Sequence, residues 1–295
     1  MRFTYAEAMT EATYYAPLAQ AAEAAGYTSM TVADSLIYPE ESDSTYPYTD
    51  TGDRGFLQGK DFIEAMILCA HLFAVTTTLR LTPFVLKLPV RPPVLVAKQA
   101  SSLAYLSGNR LGLGVGLSPW PEDFAALGVP WAKRGKRMDE CLEIVRGLTD
   151  PSGDFFGYRG DFYDIAPMQQ RPVPTERIPL LVGGHSDAAL RRAVLLGDGW
   201  MHAGGDGDEL DRLLARLAEI RKAEGDTRGP DEFEVHVISY DAYTPEGVRK
   251  LEDKGVTDCI VGFRVPYIVG PDTEPLEEKA KHLERYAENV IQRCS

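Results

Sequence analysis

Short apolar segments alternate with amphipathic stretches along the whole chain, and this alternation constrains the fold more than any other feature. Such segments are typical of buried strands, and the stretches between them of helices that pack one face on a sheet. The eight apolar segments are residues 2–5, 29–33, 79–86, 111–117, 178–182, 199–201, 233–239 and 258–263. Strands that alternate with helices pair in parallel, and eight of them close a barrel. The sequence therefore predicts an α/β fold, a single (β/α)8 TIM barrel domain over residues 1–295.

The residues between these segments carry helix start and stop signals. Thr244 precedes a proline and is predicted to cap a helix. Gly26 and Gly255 each stand between a helical stretch and a strand, where glycine can adopt the left-handed conformation that ends a helix. Gly197 has the same position before a strand, so a similar joint is expected there.

Two segments are longer than a minimal barrel needs. Residues 34–60 follow the second strand, and loops that follow strands line the active face of such a barrel, so a lid is expected. Residues 150–177 precede the fifth strand and contain a predicted hairpin turn at residues 158–161. The aromatic residues that suggest a lid over an organic ligand, or packing onto the barrel or onto a partner subunit, are Tyr38, Tyr46, Tyr48 and Phe56.

Charge and cysteine content limit the partners and the compartment. The chain has 295 residues, 44 of them acidic and 31 basic, and a net charge of −13. Nucleic acids and anionic membranes bind clustered basic residues, so neither is an expected partner. The four cysteines are scattered and no cysteine or histidine spacing indicates a metal site. Without a signal or membrane-spanning pattern, the expected compartment is the cytoplasm.

The segment that includes Gly183, Gly184, His185 and Ser186 predicts an anion site. A buried strand ends in two glycines, and a helix begins near Ser186. Backbone N–H groups at a helix N-terminus bind phosphate well, and glycines let the anion approach closely. The alternative is an ordinary strand-to-helix turn that Ser186 caps.

Glycine also recurs at every second position of the fourth strand, at Gly112, Gly114 and Gly116. Glycine weakens a strand unless something must approach the backbone closely. A flat ring near the strand end would explain the pattern, and so would tight packing inside the barrel. One strand earlier, Pro83 interrupts an apparently central strand and predicts a bulge.

Four basic residues in five lie at the start of a helix: Lys133, Arg134, Lys136 and Arg137. The helix dipole disfavours cations there, so the cluster needs an anion. Asp139, Glu140 and Glu143 could supply it, or else an anionic cofactor tail could. Among the histidines, His202 stands at a strand end and is the best candidate for chemistry.

Two runs, RLGLGVGLSPWPEDFAALGVPWAKRGKRMDECLEIVRGL and IPLLVGGHSDAALRRAVLLGDGW, closely resemble the luciferase-like monooxygenase superfamily, in particular its branch that uses coenzyme F420. TVADSLIYPEESDSTYPYT and PVRPPVLVAKQASSLAYLSGNRL add to this resemblance. It implies a flavin or deazaflavin at the carboxyl end of the barrel. It also implies a non-prolyl cis peptide near Phe84 and Val85, behind the ring of this cofactor. It also implies a phosphate on Gly183, Gly184, His185 and Ser186, with Gly116, Leu117 and Ser118 along the ring or ribityl chain.

The sequence departs from the family pattern after the second strand. Many members have Asp-His or Glu-His there, and this chain has Asp34-Ser35. Serine is a poor general base, so the role of the family's histidine cannot be assigned to Ser35 by position alone. The candidate catalytic residues are Asp34, Ser35 and His202, and Tyr46 could also substitute for the missing histidine. Three functions follow from the resemblance: an F420-dependent oxidoreductase acting on a small organic substrate, with Arg134 and Arg137 near the cofactor tail; an FMN-dependent monooxygenase; or a non-catalytic flavin-binding barrel. Homodimers are frequent in the family, so a homodimer is expected.

Overall fold

The computed structural model describes residues 1–46 and 51–294, and its centre is a barrel of parallel strands. The barrel strands are β1 (Arg2–Glu7), β2 (Ser29–Val32), β3 (Arg80–Pro83), β4 (Leu86–Lys87), β5 (Leu113–Gly116), β8 (Leu180–Gly183), β9 (Gly199–Met201), β10 (Glu234–Ile238) and β11 (Asp258–Val261). They are hydrogen-bonded in the order β3-β2-β1-β11-β10-β9-β8-β5-β4. An antiparallel hairpin of β6 (Phe156–Arg159) and β7 (Asp164–Met168) stands apart from them.

Helices follow most strands and cover the outside of the barrel. They are α1 (Tyr15–Ala25), α2 (Ala65–Val75), α3 (Pro93–Ser107), α4 (Pro121–Ala126), α5 (Arg134–Leu148), α6 (Asp187–Leu196), α7 (Gly207–Ala223), α8 (Pro245–Asp253), α9 (Leu276–Tyr286) and α10 (Gln292–Cys294). A π-helical turn, Ala287–Ile291, joins the last two. None of the helices in the described residues is long and apolar enough to cross a membrane.

The third predicted strand is divided into β3 and β4. A cis peptide bond joins Phe84 to Val85 between the two halves, at the position that the family resemblance implied. β4 pairs with β5, and an isolated bridge between Leu81 and Leu111 closes the barrel on the β3 side. With β3 and β4 counted as one strand, all eight predicted barrel strands are present, and the predicted α/β barrel is confirmed.

Most of the predicted helix boundaries agree with the structure, and one is wrong. Gly26 and Gly255 have φ values of 92° and 85°, and the Thr244 side chain accepts a hydrogen bond from Gly247 N–H. Gly197, however, has φ −100°, outside the left-handed region. A methyl group there would lie 2.9 Å from the Ala193 carbonyl oxygen, so glycine serves close packing of helix and strand at this joint.

The predicted hairpin turn also lies two residues later, at residues 160–163. The Glu140 carboxylate of α5 accepts hydrogen bonds from the backbone N–H groups of Asp161, Phe162 and Tyr163. A contact with a distant helix therefore determines the turn position, and the local sequence does not reveal it.

Charged side chains fill the amino-terminal end of the barrel interior. Arg80 of β3 reaches across the barrel to Glu234 of β10, with an N–O distance of 2.8 Å, and Arg2 pairs with Asp258 at 2.7 Å. His236 lies 2.6 Å from a Glu234 oxygen and 3.5 Å from an Asp258 oxygen. These two carboxylates and the histidine lie close enough to share a cation, but the guanidinium groups already balance the carboxylate charge. The cluster therefore closes this end of the barrel.

Candidate active site at the carboxyl end of the barrel

The opposite end of the barrel interior is apolar. Leu181, Met201 and Ile260 form a buried cluster that is separate from the main core between sheet and helices. Side chains packed on this cluster are only partly buried: Ala6, Phe84, Val85 and Ile238. These seven residues, here called the apolar floor, come from six barrel strands or their ends. Removing water from these apolar side chains costs little free energy, so a flat organic ligand can pack on them.

Two glycines of β5, and Gly112 just before it, allow neighbouring groups to pack closely inside the barrel. A methyl group on Gly112 would lie 2.5 Å from the Arg80 guanidinium, and one on Gly114 would overlap the Pro83 carbonyl oxygen. A methyl group on Gly116 would lie 2.5 Å from Cγ2 of Val85. Packing inside the barrel thus accounts for Gly112 and Gly114, while Gly116 makes room for the apolar floor.

The predicted anion site is a turn between β8 and α6. Ser186 caps α6, and its hydroxyl oxygen accepts a hydrogen bond from Ala189 N–H. Gly184 has φ 124°, a conformation that side chains other than glycine rarely adopt. Gly183 lies against Val85, because a methyl group on it would be 2.9 Å from Cγ1 of that residue. The turn therefore lies directly beside the apolar floor.

Two stacked histidines lie behind this turn. The rings of His185 and His202 are 4.8 Å apart at an interplanar angle of 12°. His185 accepts a hydrogen bond from Ala203 N–H and contacts the Glu209 carboxylate at 3.2 Å. His202 is fully buried, and its Nδ1 lies 3.2 Å from the Ile238 carbonyl oxygen. Burial, and then the neighbouring imidazole, lower the pKa of His202 to about 4, so its ring is neutral at pH 7.

Asp34 is buried in a hydrogen-bonded ion pair. Its two oxygens accept from the Arg91 guanidinium at 2.8 and 2.9 Å, and one of them also accepts from Lys87 N–H at 2.9 Å. A bidentate arginine holds a carboxylate in a defined geometry. The contacts of Asp34 fasten the segment after β2 to Lys87 of β4 and to Arg91 beyond it. Ser35 lies next to it and is half-buried.

A second buried network holds the end of β5. Ser118 donates a hydrogen bond to Asp123 at 2.5 Å and accepts one from Trp120 N–H. Asp123 also lies 2.8 Å from the Lys87 ammonium group. The Ser118 hydroxyl is therefore already hydrogen-bonded within the protein. Of the neighbouring residues Leu117 and Ser118, Leu117 is partly exposed and Ser118 is buried.

Residues of the predicted lid form an aromatic cluster with two other loops. Tyr46 stacks on Trp120 at 5.6 Å and contacts Phe56 at 5.3 Å, and Tyr267 packs on both Tyr46 and Phe56. Tyr38 joins through the Arg54 guanidinium, which lies over its ring and that of Trp120. This aromatic cluster links the loops after β2, β5 and β11 on one side of the barrel mouth. Tyr48 lies outside the described residues.

The loop after β11 is anchored by buried charges. The Lys279 ammonium group lies 3.0 Å from Glu7 and 2.9 Å from Asp272. Arg264 contacts the same two carboxylates at 3.2 and 3.3 Å. Burial lowers the pKa of Lys279, but the hydrogen-bonded carboxylates of Asp272 and Glu7 outweigh this effect and raise it. This ion network fixes the loop that carries Tyr267.

The basic run at the start of α5 has mixed surroundings. Arg137 is buried, donates a hydrogen bond to the Pro130 carbonyl oxygen and lies over the Phe162 ring. Arg134 stacks on Trp131 at 3.7 Å, while Lys133 and Lys136 are exposed. The proposed counter-anions have other partners, because Asp139 binds Arg192, Glu140 binds the hairpin turn and Glu143 binds Tyr158. Arg192 of α6 also donates to the Gly135 carbonyl oxygen, which places the run beside the helix that begins at the anion turn.

Several residues that shape this site have no distinctive local signal in the sequence. They are Glu7, Lys87, Arg91, Asp123, Trp200 and Glu209. Each acts through a partner that is distant along the chain, such as Arg91 with Asp34 or Trp200 with the carbonyl oxygen of Gly184.

Comparison with known proteins relates this architecture to a family. A family model described as luciferase-like monooxygenase matches residues 3–289. An uncharacterised protein of Mycobacterium tuberculosis is 65% identical over 291 residues, which cover 99% of both chains. The FMNH2-dependent dimethylsulfone monooxygenase of Pseudomonas fluorescens is 29% identical over 167 residues, or 55% of this chain and 44% of that protein.

Two solved structures share the fold over the whole chain. The monooxygenase RslO1 from Streptomyces bottropensis has a TM-score of 0.76 at 15% identity, with 100% of both chains covered. The coenzyme F420 dependent tetrahydromethanopterin reductase from Methanopyrus kandleri has a TM-score of 0.74 at 15% identity, covering 100% of this chain and 99% of that one. At these identities the likeness concerns the fold. The family model, in contrast, matches nearly every residue, and the protein belongs to the luciferase-like monooxygenase family.

Proposed function

We propose that the protein is an F420-dependent oxidoreductase that transfers a hydride between the deazaflavin C5 and a small organic substrate at the carboxyl end of the barrel. The observation that carries this proposal is the position of the anion turn beside the apolar floor. A flat ring and a phosphate, joined by a flexible chain, match two such neighbouring surfaces. Two solved structures of F420-dependent enzymes share the fold, and an FMNH2-dependent monooxygenase is similar in sequence to part of the chain.

The residues at the barrel mouth fit such a cofactor. Phe84, Val85 and Gly116 would support the ring, and the turn from Gly183 to Ser186 would bind the phosphate. When bound, the deazaflavin supplies hydride chemistry at C5, whereas reduced FMN supplies the activation of oxygen. The protein supplies orientation, an apolar surface and exclusion of water.

Asp34 and Ser35 have different roles in this proposal. Asp34 is occupied by Arg91 and Lys87, so it positions the end of β2 instead of moving a proton. Ser35 is too weak a base to take up a proton at neutral pH and would orient the substrate through a hydrogen bond. His202 is neutral and buried behind the anion turn, which suits support of the turn better than contact with substrate.

The basic run at the start of α5 favours F420 over FMN. Arg134, Lys133 and Lys136 lie next to the helix that begins at the anion turn, where an anionic cofactor tail would find them. Arg137 supports the Pro130 backbone and the hairpin. An FMN-dependent monooxygenase is the second candidate, supported by the partial similarity to the dimethylsulfone monooxygenase.

Titration of the purified protein with F420 and with FMN separates the candidates. We expect F420 to bind more tightly, with the binding followed by absorbance or calorimetry. FMN binding without F420 binding would contradict the first candidate and support the second. Binding without oxidation or reduction of the cofactor across a broad substrate panel would support a non-catalytic flavin-binding barrel.

Gly184→Asp tests the anion turn. We expect the dissociation constant of the cofactor to rise roughly tenfold to a hundredfold, because the new carboxylate repels the phosphate and the backbone conformation disfavours a side chain. Gly229→Asp is the matched control, since it adds the same charge at an open glycine before β10, at the far end of the barrel. Equal affinities of the two variants would exclude the turn from the cofactor site.

We also propose that the protein forms a homodimer through the outer faces of α2 and α3. Neither helix contains a carboxylate, and Lys98 is the one Lys or Arg in the two. Their exposed apolar residues are Ile67, Val94, Leu95, Tyr105 and Leu106. Two chains of charge −13 repel each other, and this face lets them meet without opposing carboxylates.

The mass of the protein in solution tests the dimer. We expect the wild type to have twice the 32.5 kDa mass of one chain in light scattering, and Leu106→Glu to be monomeric. The side chain of Leu106 is 81% exposed, so the substitution should leave the fold intact. Leu195→Glu on α6 is the control, because that exposed leucine lies on another helix. A dimeric Leu106→Glu variant would place the interface elsewhere.

A further inference from the structure

A buried tryptophan holds the backbone of the anion turn from behind. Trp200 of β9 is fully buried, and its indole N–H donates a hydrogen bond of 2.8 Å to the Gly184 carbonyl oxygen. The indole N–H is only a donor, so this bond can form only while the carbonyl points toward the tryptophan. Trp200 thus fixes the direction of one peptide group in the turn.

The direction of that peptide group determines what the turn presents to an anion. The bond between Gly184 and His185 is trans, and a trans peptide holds its C=O and N–H on opposite sides. With the carbonyl directed at Trp200, the His185 N–H is directed away from the buried indole. The reverse orientation would present a carbonyl oxygen, which repels a phosphate.

The side chain of the next residue is held by the same strand end. The His185 ring stacks on His202 and accepts a hydrogen bond from Ala203 N–H, and both of these residues directly follow β9. The turn is therefore fixed at the Gly184 carbonyl and at the His185 ring from one buried layer. A flip of the Gly184–His185 peptide would therefore break a hydrogen bond.

We propose that Trp200 is a positioning residue that gives the site its preference for cofactors with a phosphate group. This inference rests on the proposed function and extends it to the selection between phosphorylated and phosphate-free flavins. Trp200 acts through the Gly184–His185 peptide and does not itself contact the ligand. Its removal should weaken the binding of the phosphate and leave the binding of the ring unchanged.

The test compares two ligands with the same ring in wild type and Trp200→Phe. FMN and riboflavin differ only in the phosphate, and F420 and its phosphate-free deazaflavin core form a second pair. We expect Trp200→Phe to raise the dissociation constant of the phosphorylated ligand about fivefold to tenfold, as for the loss of one hydrogen bond. The phosphate-free ligand should change less than twofold.

The outcomes distinguish this inference from the proposed function. An equal loss for both ligands would show that Trp200 acts only through packing, and an unchanged affinity for both would show that its hydrogen bond does not hold the turn. Either result overturns the inference while the function stands. A wild type that binds FMN no better than riboflavin, and F420 no better than its core, overturns the phosphate site and the inference together.

A measurement on the wild type covers the case in which Trp200→Phe does not fold. The indole N–H signal of Trp200 in ¹H–¹⁵N spectra should be protected from hydrogen exchange. It should shift on addition of the phosphorylated ligand and shift much less with the phosphate-free one. A signal that exchanges rapidly, or that responds equally to both ligands, contradicts the proposal.

Discussion

Gly114→Ala is expected to destabilise the protein by about 3 kcal/mol or more and to abolish cofactor binding, although it adds a single methyl group. The methyl group would overlap the Pro83 carbonyl oxygen and lie 2.8 Å from the sulfur of Met201. Backbone atoms cannot move aside as the end of a flexible side chain can. The end of β3, from which the chain continues to Phe84 and Val85, would have to shift and deform the apolar floor.

Thermal or urea unfolding measures the stability, and a flavin titration measures binding. Gly229→Ala is the control for the loss of glycine flexibility, because a methyl group there has open space and the backbone is not in a left-handed conformation. We expect the control to match or slightly exceed the wild type in stability. A Gly114→Ala variant as stable as the control would show that the barrel interior tolerates the extra volume.

Lys279→Met should lower the free energy of unfolding by about 3–5 kcal/mol at pH 7, because it removes one partner of a buried ion network. Arg264 would be left as the cation that Glu7 and Asp272 share, and both carboxylates are buried against water. Methionine keeps much of the length and apolar volume of the lysine side chain. Lys281→Met is the control, since its ion pair with Glu278 is exposed. Equal unfolding midpoints for the two variants would contradict the prediction.

The effect of Lys279→Met on the free energy of unfolding is expected to depend on pH. Burial raises the pKa of Asp272, but the hydrogen bond from Lys279 and nearby charges outweigh this and lower it. A carboxyl group with a lowered folded-state pKa stabilises the fold above its unfolded pKa of about 4, and this contribution is lost as the pH falls below that value. The stability difference between wild type and Lys279→Met should therefore stay constant from pH 7 to about pH 5 and narrow as the pH falls below about 4. A difference that stays constant below about pH 4 as well would exclude the Asp272 contribution.

The barrel could be predicted from the sequence because its strands and its helices each repeat a local pattern of apolar residues. Apolar segments and amphipathic stretches reflect burial, and burial depends on secondary structure that forms within a few residues. The strand-to-helix turn at Gly183–Ser186 was predictable for the same reason, since two glycines and a capping serine form a local signal, while its binding of an anion stays a prediction. An irregularity at Pro83 was predictable because proline cannot donate to a sheet, and the structure shows it as the break between β3 and β4.

The roles of single polar residues were not predictable, because they depend on partners far along the chain. Asp34 looks like a catalytic carboxylate until Arg91, 57 residues later, is found beside it. Ser118 looks like a ligand to the cofactor until Asp123 is seen to accept its proton in a hydrogen bond. Arg137 looks like part of an anion site, but its guanidinium supports Pro130 and Phe162. Sequence pattern shows which residues are unusual and does not show whether the fold or a ligand needs them.

In the described residues, the charged cluster closes the amino-terminal end of the barrel interior, and the apolar floor is partly exposed at the carboxyl end. Arg2, Arg80, Glu234, His236 and Asp258 block passage along the barrel axis, so the proposed ligands would enter and leave on the side of the aromatic cluster. In the proposed function the cofactor ring would lie on the apolar floor and the substrate above it. The cofactor would then have to bind before the substrate, and the product would have to leave before the cofactor could be exchanged.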